Sequence, residues 1–291
     1  MIKTILTTVI VLAIGPLSVP AQEKPAYRIF TNTGEPATYE EMRTAATQSE
    51  VVLFGELHNS PIAHWLQHEL GMDLFREKDS LLTIGAEMFE ADNQLLLDEY
   101  FDGIIQERHF TAEAKIWSNY QTDYRPLLEF ARANELKYIA TNIPRRYAAL
   151  VNRAGLEALD TLSPLAKQYM APLPIPYDPD LPGYKSMSEM GDMPAHINEN
   201  LPKAQAIKDA TMAHFILENL TEGGTFLHLN GTYHSNNDEG INWYLRYYGE
   251  SPLEIITIST VEQETSESVH EKNLDLADFI IVIPSTMTKT Y

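Results

Sequence analysis

Cysteine is absent from the 291 residues. Disulfides, thiolate nucleophiles, zinc–thiolate sites and iron–sulfur clusters are therefore excluded. Positive charge is scarce: 21 Lys and Arg stand against 41 Asp and Glu, for a formal net charge of -20. So acidic a chain lacks the positive footprint that a nucleic-acid backbone requires. It is also not drawn to an anionic membrane surface. Long apolar runs are missing too. The run from Thr4 to Ile14 falls short of the about 20 residues that cross a bilayer. What is present is ordinary for a globular protein: 44% hydrophobic and 21% charged residues, on a chain long enough to bury a sizeable core. Disorder, collagen and coiled coil are excluded as the main architecture.

The N-terminus has a charged start at Lys3, the short apolar run, and small residues at Val19-Pro20-Ala21. That pattern predicts a signal peptide over residues 1–21, cut after Ala21. The expected product is exported, soluble in the periplasm or secreted, with no membrane anchor.

Short apolar runs rich in β-branched residues read as strands covered on both faces. They are Val51–Phe54, Leu81–Ala86, Tyr138–Thr141, Thr225–Leu229, Leu253–Ser259 and Phe279–Ile283. Between them, helical spacing recurs over Ile62–Phe75, Asn93–Phe101, Tyr124–Asn134, Arg145–Asn152 and Pro202–Leu220. Pro126 and Pro202 are expected in first turns, where proline is tolerated. The alternation predicts an α/β fold, a mostly parallel central sheet with helices on both faces. One domain is expected over residues 22–291, with a helical, Pro-rich insertion at about 155–202. Tyr169, Met170, Tyr177, Tyr184, Met187, Met190 and Met193 give that insertion apolar surface. Such a surface either docks on the core or covers a flat apolar ligand.

Ligands of open α/β sheets bind outside the carboxyl ends of the strands. The first predicted strand runs into Glu56 and His58, which project to one side of an extended chain. The second runs into Glu87, the third ends at Asn142, and the fourth runs on to His234. A lone His or Glu at a strand end is usually a hydrogen-bonded structural residue. Several ionisable groups at neighbouring strand ends are costly unless used. Glu56, His58, Glu87 and His234 are thus candidates for a Glu/His acid–base site or for a divalent-metal site. His64 and His68 stand four residues apart on a helix. Trp65 follows the first of them, where the zinc-protease pattern needs Glu. Asn142 and Arg145 are candidates to bind a carboxylate. Gln205 and Asp209 share a helix face, where solvated charge is the plain reading.

Several segments, in order, resemble the ChaN-like haem-binding family. They are Gly55-Glu56-Leu57-His58-Asn59-Ser60-Pro61 with His64 and Gln67, Glu87-Met88-Phe89, Tyr124-Arg125-Pro126-Leu127-Leu128, Asn142-Ile143-Pro144-Arg145, Ala204 to Ala213, and Asn230-Gly231-Thr232-Tyr233-His234. The resemblance runs from about residue 45 to 260. It implies an α/β domain in the wider superfamily of Tiki proteases and erythromycin esterases. It also implies an exported protein of haem and iron uptake, with haem held between the subunits of a homodimer. Family members are often lipoproteins; without cysteine this chain cannot carry that lipid.

The first functional expectation is a periplasmic haem-binding protein. Haem needs an apolar slot and an axial His, Tyr or Met. The candidates are His58, His64 and His234, with Tyr120, Tyr184 and Tyr233 as phenol alternatives. Arg145 or Arg125 would serve the propionates. The second expectation is a hydrolase using Glu56, His58, Glu87 and His234, with or without a metal. The third is a non-catalytic interaction domain that keeps the cluster for structure. The export reading is checked by intact-mass measurement on protein from its native host: the expected chain starts at Gln22 and carries no lipid, and a retained Met1 overturns it.

Overall fold

The computed structural model describes residues 24–188 and 195–291, without the side chains of 195–198. The expected signal peptide, Met190 and Met193 lie outside the described residues.

The strands are β1 (Arg28–Thr31), β2 (Pro36–Ala37), β3 (Val51–Glu56), β4 (Leu82–Glu90), β5 (Lys137–Asn142), β6 (Thr225–Gly231), β7 (Ile255–Gln263) and β8 (Phe279–Pro284). They form one sheet in the order β2-β1-β8-β7-β3-β6-β4-β5. The six strands from β8 to β5 are parallel; β1 and β2 add an antiparallel edge. The expected α/β class, with its mostly parallel sheet, is what the chain adopts. The helices are α1 (Tyr39–Gln48), α2 (Pro61–Lys78), α3 (Gln94–Phe101), α4 (Glu107–Glu113), α5 (Arg125–Ala133), α6 (Arg145–Ala154), α7 (Pro164–Lys167), α8 (Pro182–Ser188), α9 (Ala195–Asn219) and α10 (Ile241–Tyr248). None of them is long and apolar enough to cross a membrane.

The strand period of two divides the core. In β3, Val52 and Phe54 pack on one side with Leu66, Leu70 and Leu74 of α2 and Leu127 and Leu128 of α5. Val51 and Leu53 pack on the other with Ile207, Ala210 and Ile216 of α9 and Tyr244 of α10. Both faces of β3 are therefore covered, as its unbroken apolar run predicts. Side chains at the sheet's carboxyl edge meet groups from both helix layers.

Local chemistry sets the turn that follows β3. Ser60 caps α2 by accepting from the Ala63 N–H at 3.4 Å, and Pro61 opens the helix. In β4, the pairing with β5 jumps from Ala86–Ala140 to Glu90–Asn142, so extra residues bulge out around Glu87. Bulges re-aim side chains next to functional sites. The Asn142 amide holds this one by donating to the Glu87 carbonyl at 3.0 Å.

One sequence placement is corrected. Pro202 lies inside α9 rather than in its first turn, because the helix begins at Ala195. Between α6 and α9 the described chain holds only short helical pieces and extended stretches.

Gly55 sits in the central strand, hydrogen-bonded on both sides. A Cβ there would stand 3.0 Å from the Ile258 carbonyl oxygen and 3.2 Å from the Thr232 Cα. Both neighbours are backbone and recede poorly. Gly55→Ala is expected to lower stability by about 1–3 kcal/mol through overpacking. Urea unfolding measures this, and an unchanged midpoint would show that the turn after β6 gives way.

Candidate functional site

Glu56 ends β3 only 2% exposed, yet three donors reach it. Gln67 Nε2 of α2 donates at 2.6 Å, His58 Nδ1 donates at 2.9 Å, and the Tyr124 hydroxyl donates as well. Burial alone would raise the carboxyl's pKa. The facing imidazoles of His64 and His58 and the Tyr124 hydroxyl outweigh it and hold the group below its ordinary value. Burial beside that carboxylate pushes the Tyr124 phenol far up. Tyr124 reaches the site from a π-helical turn, Tyr120–Tyr124, that leads into α5. Such turns occur often at functional sites.

Glu87, in the β4 bulge, is met from the α9 side of the sheet. Its Oε2 accepts the Gly231 N–H at 2.8 Å, and its Oε1 accepts from His234 Nε2 at 3.1 Å. His234 Nδ1 donates to Asp209 of α9, whose other oxygen accepts the Tyr184 hydroxyl of α8 at 2.7 Å. An unbroken chain thus runs from α8 through Tyr184, Asp209, His234 and Glu87 to the end of β6. Burial would lower the His234 pKa, but the charges of Glu87 and Asp209 raise it to about 9. His234 is consequently an imidazolium at neutral pH. Its charge, against burial, also holds Glu87 far below the usual carboxylate range. In Asp209 burial prevails and the pKa is raised. His228, in β6, is pushed down to about 4 by burial and stays neutral between Thr141 and Asn230.

The two networks meet at a cleft of about 500 Å³ at the carboxyl edge of the sheet. Glu56, His58, Glu87 and His234 line it, with Leu57, Met187, Leu201, Gln205, Lys208, Gly231, Thr232 and Tyr233. Of the ring nitrogens, His58 Nε2 is the one left open: no hydrogen bond is made to it among the described residues. The ring is held edge-on by Trp117, with centroids 4.7 Å apart. Burial would lower the His58 pKa, but the bond to Glu56 and the charge of Glu87 raise it. Gly231 makes room for this ring. A Cβ there would lie 2.8 Å from His58 Cε1 and 2.9 Å from Nε2. Tyr233 is 65% exposed at the mouth.

Other sequence candidates are placed elsewhere. His64 is buried behind Glu56, with Nδ1 on Gln67 and Nε2 on the His58 carbonyl. It borders a separate groove with His68 and Thr290. Asn142 and Arg145 are not among the residues that line the cleft. Arg125 is clamped by Glu107 at 2.5 and 2.9 Å. Tyr120 and Tyr184 are buried. Asp209 is fully buried rather than a solvated helix charge. Its position four residues after Gln205 was the signal, and the distant His234 partner was not visible.

The divalent-metal alternative over Glu56, His58, Glu87 and His234 is not supported. Among the described residues no cluster of three or more His, Asp or Glu is arranged to hold a metal ion. The physical reason is that these donors are spent on one another. His234 turns both nitrogens to carboxylates, and Glu56 and Glu87 accept from protein donors on both oxygens.

A raised histidine pKa adds stability in full below the unfolded value and loses it as pH rises through the folded one. For His234 that window runs from 6.5 to about 9. Urea-derived stability is expected to fall across it in the parent and to stay flatter in His234→Gln. His234→Gln is also expected to cost about 3–5 kcal/mol at neutral pH, because Glu87 and Asp209 lose their buried counter-charge. An equally steep fall in the variant overturns the assignment.

A family model described as haem-binding uptake, Tiki superfamily, ChaN matches residues 42–245, from within α1 to within α10. Among solved structures, the fold is similar to that of ChaN of Campylobacter jejuni, described as binding haem cofacially. That likeness has a TM-score of 0.67 and 18% identity, covering 91% of this chain and 100% of that one. It is also similar to an erythromycin esterase mutant in its open conformation, with a TM-score of 0.50 and 11% identity over 89% of this chain and 97% of that one. At these identities the likenesses show the fold alone. No curated protein matches the sequence. The family match spans well over half of the chain and every strand end that builds the cleft, so the chain belongs to the ChaN family of haem-binding uptake proteins in the Tiki superfamily.

Proposed function

We propose that the cleft binds haem and that the protein serves haem or iron acquisition after export. The observation that carries this reading is the pairing of two accessible donors, the Tyr233 phenol and His58 Nε2, on one cleft with apolar walls. Haem iron takes a His or Tyr ligand, and the macrocycle needs an apolar slot. Leu57, Met187 and Leu201 offer that slot, and glycine at 231 keeps its floor clear. A cleft of about 500 Å³ falls within the range of small-molecule sites. Bound haem would supply the iron centre; the chain supplies the ligand, the slot and the polar contacts.

Of the expected imidazoles, His64 and His234 have both nitrogens engaged. His58 holds its proton more tightly than usual, between Glu56 and Glu87. Tyr233 is the more open of the two. We therefore read Tyr233 as the axial ligand and His58 as a polar contact to the bound group. A ligand held at so open a mouth keeps one face outside the chain, which favours the homodimer that the family resemblance implies.

A hydrolase remains the second reading, and one observation favours it. His58, buttressed by Glu56 and open at Nε2, has the form of a carboxylate-oriented general base. Haem titration separates the two. Tyr233→Phe is expected to shift the Soret band and weaken haem binding by about tenfold or more, since the axial donor is lost. His58→Ala should weaken binding less. An unaltered band in both variants overturns the haem assignment, and ester or peptide hydrolysis abolished by Glu56→Gln then establishes the second.

A further inference from the structure

A second cavity, of about 620 Å³, adjoins the cleft. Leu57, Thr232 and Tyr233 line both, so they form a ridge between two lobes at the carboxyl edge of the sheet. The second lobe lies over the end of β7, at Thr260 to Glu262. Its far wall is the loop between β7 and β8. That loop is tied to the turn after β6, where the Asn237 N–H donates to the Leu276 carbonyl at 2.8 Å. Asn237 and Asp238 take left-handed backbone there, with φ of +60° and +58°, which Asn and Asp tolerate. Glu239 follows them into the lining of the lobe.

Three polar atoms in this lobe have no hydrogen-bond partner among the described residues. Glu239 is 8% exposed; its Oε2 accepts the Gly183 N–H of α8 at 2.6 Å, and its Oε1 accepts nothing. Thr232 is as deeply buried, and its hydroxyl is unbonded. Asn236 accepts the Ser259 hydroxyl on Oδ1 at 2.7 Å and keeps its Nδ2 hydrogens unused. None of the three atoms is sealed off from a ligand. A buried polar group loses hydration that a partner must return.

The three needs differ. The carboxylate accepts, the amide nitrogen donates, and the hydroxyl does both. An anion would face Glu239 and Glu262. A cation would leave the amide unmet and face Lys272, which also lines the lobe. A hydroxyl donates and accepts at one atom, so a ring of hydroxyls meets all three needs. Tyr233 adds an exposed aromatic face at the ridge, an apolar body beside a polar tip.

We propose that this second lobe binds a neutral polyhydroxylated ring, a sugar unit, with Glu239, Asn236 and Thr232 on its hydroxyls and the Tyr233 ring against its C–H face. The inference goes beyond the haem reading and does not rest on it. Iron would use the Tyr233 hydroxyl; the sugar uses the ring.

The test is an NMR titration of the full chain with glucose, galactose and N-acetylglucosamine, and with serine as a zwitterion. At least one of the sugars is expected to bind. For that sugar, Glu239→Gln should weaken binding by about tenfold, as loss of a charge-assisted hydrogen bond does, and Thr232→Val by severalfold. Gln still accepts the Gly183 N–H and Val keeps the shape of Thr, so both variants are expected to fold, which thermal unfolding checks. Tyr233→Phe keeps the ring and should bind the sugar as the parent does, whereas Tyr233→Ala should weaken it. Binding of none of the sugars overturns the proposal, whether or not serine binds. So does sugar binding left unchanged by both Glu239→Gln and Thr232→Val. The two readings fail separately: a Soret band untouched in Tyr233→Phe counts against iron ligation, and leaves the sugar titration as it stands.

Discussion

Two carboxylates buried at the ends of strands that flank β6 govern this site. Glu56 and Glu87 are 2% and 6% exposed, and a buried charge survives only when paired and hydrogen-bonded. Because strand side chains alternate, the two are served from opposite layers. Gln67 and Tyr124 reach Glu56 from the α2 and α5 side. His234, backed by Asp209 and Tyr184, reaches Glu87 from the α9 side. The sheet edge is where both requirements must be met at once, and the cleft is the gap between the two solutions. Residues from α2, the π-helical turn before α5, α8 and α9 are thereby committed to one edge, so the helix layers and the site are fixed together.

The polar groups left open to a ligand follow from that commitment. His58 is drawn to Glu56 on one nitrogen and held by the Trp117 edge, which leaves its other nitrogen facing the cleft. Gly231 serves two purposes at one position. Its N–H satisfies Glu87, and its missing side chain admits the His58 ring. The bulge in β4 brings Glu87 within reach of that N–H, and Asn142 keeps the bulge from straightening.

Much of this was legible in the chain because the parallel strands are buried on both faces and read as unbroken apolar runs. Val51–Phe54 and Phe279–Ile283 announced β3 and β8, and the rule that sites lie at carboxyl strand ends pointed to Glu56, His58, Glu87 and His234. Strand β1 was not read, since four residues at a sheet edge carry too short a pattern. Asp209 and Tyr184 are not legible as a bonded pair either. Their partners lie tens of residues away, so spacing along α9 could not show which polar residue was buried, bonded or left unpaired. Pro202 misled in the same way: proline marks a first turn by preference, and here the helix runs on through it from Ala195.

The balance between binding and catalysis turns on how many titratable groups are free to change state. In the network around Glu87, His234 is protonated and bonded at both nitrogens, so moving its proton would strip charge compensation from two buried carboxylates. Discharging that network is therefore costly. The Glu56 network is tied down by Gln67 and Tyr124 and frees only the far nitrogen of His58. A hydrolytic centre would have to work with that single nitrogen and, among the described residues, without a metal-holding cluster of acidic and imidazole side chains. A binding cleft asks less: a donor at the mouth and apolar walls. Tyr233 and the Leu57–Met187–Leu201 wall line the cleft without entering either network.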